Sequence, residues 1–263
     1  MTLRDHKLTG LWNILALLLT TVVVTGCGGG TPNGKDNGAQ YSLEVVAEKD
    51  LGTQIDYLHV RFLKDGIAVV DGYVMVNGDS LSLTASGYAV KTYPGTHFPH
   101  GEEISIEAVD PEDEFVFTDS VFMPTALTVE VVPEADTVWQ PSKGTVSISW
   151  TLANPVSGYI VSVTPRTPGN PAPGLAAEAI GGSFSFSPLE VFYDQLTDTL
   201  VSDLYDVRVI GYNRTYVQRQ QSPYVLPPTS VFPLTTDDND MAARISATVV
   251  SPRAVIVAQQ LNP

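Results

Sequence analysis

The chain has 263 residues, and its acids outnumber its bases 29 to 14, for a formal charge of -15. That sign excludes a nucleic-acid phosphate backbone as the main partner, because no cationic field would meet it. A single cysteine forms no intrachain disulfide, and with so few histidines it builds no zinc cage. Hydrophobic residues make up 43% of the chain, which excludes global disorder. Glycine and proline punctuate short Val/Ile/Thr/Ser runs throughout, a pattern that predicts an all-β fold.

The first element is an address. Arg4 and Lys7 stand against Asp5, and an apolar run follows from Leu11 to Val24. A run of that length is too short for a bilayer, which takes roughly 20 residues, but it suits the apolar region of a signal peptide. It closes on Val24-Thr25-Gly26-Cys27, then Gly28-Gly29-Gly30. An aliphatic residue, two small residues and the only cysteine resemble the lipobox of a bacterial lipoprotein, although leucine is commoner where Val24 stands. The resemblance covers the first 27 residues. It implies that the Cys27 thiol takes a diacylglyceryl group, that residues 1–26 are removed, and that the new amino terminus is open to acylation, for example by palmitate. Each buried CH₂ adds about 0.8 kcal/mol, and stable anchoring takes two chains, which a diacylglyceryl cysteine supplies. By analogy with Gram-negative sorting, Gly28 rather than Asp after the lipid site favours the outer membrane.

Residues 27–40 form a glycine-rich tether with nothing large enough to bury. A coil of this length reaches about 20 Å, so it should hold the folded part near the bilayer without immersing it.

Two modules follow, expected at 41–131 and 132–263. The first holds 16 acids and 4 bases, net -12; the second holds 11 and 7, net -4. In the first, Tyr41–Val45 and Leu58–Phe62 alternate cleanly. Asp65-Gly66 and Asn77-Gly78 are hairpin turns of the kind that need positive φ twice in succession. Ile104–Ala108, Phe115–Phe117 and Leu127–Val131 continue the run of short strands. Seven or eight strands in this length predict an immunoglobulin-like sandwich, with a small open barrel as the alternative.

In the second module, Val146–Trp150 reads as a strand with a core tryptophan, and Gly158–Val161 begins the next. Tyr205-Asp-Val207-Arg-Val209-Ile-Gly211-Tyr-Asn213 has the pattern Y-x-V-x-V-x-small-x-N. Together these resemble a fibronectin type III domain over roughly 132–225, so the fold expected is two tandem β-sandwiches. The resemblance makes Tyr205 a tyrosine corner, its hydroxyl tied to upstream backbone, with Val207 and Val209 on the same inward face. The Leu-x-Pro-x-Thr lead-in to that tyrosine is absent. Pro165–Gly182 reads as an elaborated loop, and Arg244–Val250 with Ala254–Ala258 as two strands or one bent at Pro252.

Chemistry is sparse. His59 lies on the polar phase of its strand and reads as exposed. His97-Phe-Pro-His100-Gly-Glu102-Glu103 invites a metal reading, but Pro99 and Gly101 deny it a helix, so a loop is expected. No serine elbow, Walker sequence or dinucleotide fingerprint occurs. Two acidic turns are weak calcium candidates: Asp110, Glu112 and Asp113, and Asp237, Asp238 and Asp240. Neither has the spaced ligands of a calcium loop, and a solvated turn is the plainer reading. No cofactor is expected beyond the lipid on Cys27. The sequence therefore predicts an anchored, non-catalytic binding or structural module that contacts protein or glycan through loops and edges. An accessory part of a secretion or surface-assembly apparatus, or a calcium-dependent glycan or adhesion module, is the alternative.

Overall fold

A computed structural model describes residues 40–132, 138–139, 144–214, 235–237 and 241–259. The signal segment, Cys27, nearly all of the tether, Asp238 and Asp240 lie outside the described residues.

The first sandwich opens with β1 (Tyr41–Asp50) and β2 (Ile55–Lys64), then the two-residue β3 (Ile67–Ala68). It continues through β4 (Tyr73–Val76), β5 (Asp79–Ser82), β6 (Tyr88–Pro94), β7 (Glu103–Asp110) and β8 (Phe115–Phe122). Both expected hairpin turns are present. Asp65 and Gly66 have φ of 49° and 78°, Asn77 and Gly78 have 51° and 80°, and the flanking strands pair across them. The second sandwich comprises β9 (Val129–Val132), β10 (Val138–Trp139), β11 (Val146–Trp150), β12 (Gly158–Pro165), β13 (Leu175–Ala179) and β14 (Ser183–Phe186). One helical turn, α1 (Pro188–Val191), leads to the small hairpin β15 (Tyr193–Asp194) and β16 (Thr199–Leu200). The chain then runs through β17 (Asp203–Arg214), β18 (Thr235–Asp237), β19 (Met241–Val250) and β20 (Ala254–Ala258).

Both sandwiches are wired alike. In the first, β6-β2-β1 faces β5-β4-β7-β8; in the second, β14-β11-β9 faces β13-β12-β17-β20. In each, the first, second and fifth main strands share one sheet and the other four share the second. The sheets of the first module are separate, so the open barrel is excluded. Pro165–Gly182 is not simply a loop. Leu175–Ala179 is strand β13 on the edge of β12, and Ala172 beside it is buried in the second core. Its Ala-rich sequence lacks the β-branched residues that mark strands.

One strand joins the two halves. β19 runs parallel to β1 along all ten residues, Tyr41 opposite Met241 through Asp50 opposite Val250. Its far side takes the end of β17, Ile210 opposite Val250 through Arg214 opposite Ser246. After Ser251-Pro252-Arg253 the chain resumes as β20 against the start of β17. A sheet of the first sandwich is therefore continuous with a sheet of the second. Met241, Ala243, Ile245 and Ala247 pack into the first core, whereas Val249, Ile256 and Ala258 pack into the second. The expected division at 131/132 assigns all of these to the second module, and the structure splits them. Leu127, from before that division, sits in the second core.

Side-chain contacts reinforce the joint. Arg214 on β17 reaches Asp119 on β8 at 2.5 Å and the Ser120 carbonyl at 3.1 Å. Asn213 donates to the Phe122 carbonyl at 3.0 Å, and Arg208 meets Asp50 at 3.4 Å.

The second core gathers Trp150, Tyr159, Tyr205, Val207 and Val209. Tyr205 donates from its hydroxyl to the Val201 carbonyl at 3.1 Å, the expected corner, and burial pushes its pKa up to about 12.

His59 corrects an expectation, because it is only 3% exposed. Alternation tells which face a side chain takes, not whether water reaches that face. Here Val46, Glu48, Ser246 and Thr248 on the same face are buried too. The His59 Nε2 has no hydrogen-bond partner among the described residues, and the Glu44 carboxylate lies 3.9 Å away. Burial, with a smaller contribution from Arg61, holds its pKa below the ordinary 6.5, against an opposing pull from Glu44. The unfolded chain therefore takes up this proton before the folded one does. Stability is fully present above about pH 6.5 and is lost as pH falls through the folded pKa. Urea melts at pH 7.5 and 5.5 should show a larger loss for the parent than for His59→Gln. Equal losses would contradict this reading.

Candidate interaction surface

The Asp65-Gly66 turn, β3 and the following chain to Asp71 stand beside the β7–β8 turn. Between them lies a groove of about 370 Å³, lined by Lys64, Asp65, Ile67–Asp71, Asp110 and Glu112. Its position follows from local structure: the tight hairpin puts β3 at the end of its sheet, where among the described residues no neighbouring strand covers Ile67 and Val70. Ile67 is 73% exposed and Val70 is 53% exposed, while Val69 is buried in the first core. Scattered apolar exposure is ordinary on a protein surface, but two aliphatic side chains lining one concavity are not scattered.

The acidic turn that borders the groove is partly engaged. Asp110 is buried, with one oxygen accepting from the Tyr41 hydroxyl at 3.0 Å and the other from the Glu112 N–H at 3.1 Å. Asp113 accepts from the same hydroxyl at 2.7 Å and from Lys64 at 2.5 Å. Burial and these two carboxylates push the Tyr41 pKa well up, and the Asp113 hydrogen bond raises that of Lys64. The groove's one base is thus matched by Asp113, leaving Asp65, Asp71 and Glu112 as its exposed charges. Among the described residues no three metal-ligating side chains converge. Asp237 lies in β18, with Asp238 and Asp240 outside the described residues.

The histidines are not brought together. His97 stacks on Tyr93, ring centroids 3.6 Å apart and planes nearly parallel, with its Nε2 at 3.6 Å from Asp79. His100 instead places Nδ1 at 3.1 Å from the Pro124 carbonyl, and His59 is buried within β2. Sequence reasoning marked the Asp110–Glu114 turn but missed Ile67 and Val70. In sequence they are part of a short apolar run, Ile67-Ala-Val-Val70, directly after the Asp65-Gly66 turn, and nothing local marks it as exposed.

No protein-family profile matches the chain, and no curated protein sequence does. Among solved structures, it is similar to fibronectin(III)-like modules of Clostridium thermocellum CbhA at 11% identity, covering 89% of this chain and 97% of that one, with a TM-score of 0.24. It is also similar to chicken CNTN1 FN1-FN3 domains at 9% identity, covering 82% and 64%, with a TM-score of 0.25. A cytokine receptor complex is matched at 15% identity over 65% and 84%, with a TM-score of 0.27. At scores this low, the fold rests on the strand wiring itself.

Proposed function

We propose that this chain is a lipid-anchored, non-catalytic envelope protein, a binding or structural module held at the outer membrane through Cys27. The observation that carries the reading is the placement of the only cysteine directly after Val24-Thr25-Gly26, at the close of an apolar run and ahead of a glycine-rich tether. Two sandwiches joined by one continuous sheet on such a leash suit presentation of a surface rather than turnover.

Feeding an alkyne fatty acid to producing cells tests the anchor. The parent chain should carry the label and begin at residue 27. Cys27→Ala should remain unlabelled and retain residues 1–26. An unlabelled parent, or a labelled Cys27→Ala chain cut at the same bond, would contradict the reading.

A further inference from the structure

We infer that the groove beside β3 is a docking site for a basic, extended peptide segment carrying an aliphatic anchor, presented close to the same membrane surface. This deepens the binding-module reading and rests on it. Three features of the molecule specify the occupant.

The first is charge. The rim carries Asp65, Asp71 and Glu112, its single lysine is paired with Asp113, and the surrounding module is net -12. Such a rim attracts a lysine- or arginine-rich chain and repels an acidic one. A bare metal ion is a poorer match, since Asp110 and Asp113 already accept hydrogen bonds from Tyr41 and no triad of ligands converges among the described residues.

The second feature is shape. Ile67 and Val70 line the groove, and β3 is the last strand of its sheet on that side among the described residues. An extended segment can lie along a sheet end, with alternate side chains serving the apolar wall and the acidic rim. This arrangement takes one aliphatic side chain between Ile67 and Val70 and flanking cations toward Asp71 and Glu112.

The third is position. The tether enters the fold at this spot: the Gln40 N–H donates to the Asp65 carboxylate at 2.9 Å, and the Asp65 N–H donates to the Gln40 carbonyl at 2.7 Å. The groove therefore lies where the described chain begins, 13 residues after Cys27 in sequence, and a coil of that length reaches roughly 20 Å. Basic segments that flank membrane-embedded parts of other proteins are found at that height.

The test uses residues 27–263 produced without residues 1–26 and with Cys27→Ala, so that neither signal nor lipid is present, and a fluorescein-labelled peptide of alternating lysine and leucine. Saturable binding is expected, weakening about tenfold as salt rises from about 50 to about 300 mM. Asp71→Lys combined with Glu112→Lys should weaken binding by about tenfold or more, and Val70→Ser should weaken it without changing the salt dependence. Glu102→Lys with Glu103→Lys, at the opposite end of β7, changes net charge equally and should have a much smaller effect. All these positions are exposed, so thermal melts should stay near the parent's. Equal loss in the two charge-reversed chains would reduce the attraction to net charge and overturn the groove assignment. Absence of saturable binding would overturn it as well. Neither outcome touches lipid labelling of Cys27, which tests the anchored reading by itself.

Discussion

Replacing Asp56 with alanine should cost about 3–5 kcal/mol of stability, because it strands a buried ammonium. Lys49 and Asp56 face each other across the β1–β2 ladder, with Nζ at 2.9 and 3.1 Å from the two carboxylate oxygens. Their side chains are 5% and 0% exposed. Lys49 also donates to the Gly95 carbonyl, and Asp56 accepts the Phe98 N–H at 2.9 Å, so the pair fastens the 95–98 turn to the sheet. Asp56→Ala removes the counter-charge and the Phe98 acceptor together. Replacing both members, Lys49→Met with Asp56→Leu, should recover much of the loss, since two apolar side chains leave no charge behind. Denaturant melts measure both. A cost below about 1 kcal/mol for Asp56→Ala would mean that water reaches Lys49.

Trp150→Ala should cost a similar amount, about 3–5 kcal/mol, through the cavity it leaves. The indole lies at 5.3 Å from the Tyr159 ring and is 6% exposed. Its N–H is buried without a hydrogen-bond partner among the described residues, so packing is what the ring contributes. Tyr159 in turn takes the Ala153 N–H on its hydroxyl at 2.9 Å, which ties the end of β11 to β12. A loss of Trp150 therefore loosens that turn as well as the core. A melt showing less than about 1 kcal/mol would remove Trp150 from the core.

Local chemistry was legible in the sequence, and long-range pairing was not. Asp65-Gly66 and Asn77-Gly78 specify their turns through the positive φ they tolerate, and no distant residue has a say in that. Tyr205, Val207 and Val209 announce an inward face by alternation alone. The Lys49–Asp56 pair was invisible because each residue, met in sequence, looks like an ordinary surface charge at a strand end. Only the register of β1 against β2 makes them partners. His59 was misplaced for a related reason: alternation separates two faces, and here both are buried. β19 was the largest surprise. Its strand character was plain, but pairing with β1 joins residues about two hundred positions apart, and no local pattern encodes that choice. The groove was half legible, since its acidic turn stood out while its apolar wall depends on where a sheet stops.

Through its pairing with β1 and β17, β19 should make the two sandwiches one cooperative unit rather than two modules in series. Two probes of one variant test it most directly. Hydrogen exchange under increasing denaturant should be followed in Trp150→Ala for β4, β7 and β8 of the first sandwich and for β11, β12 and β14 of the second. If β1, β19 and β17 form one continuous sheet, both sets of strands should share a midpoint. Both should then fall from the parent's value by the same amount, although Trp150 belongs to the second core alone. A first sandwich that keeps the parental midpoint while the second unfolds early would contradict the account.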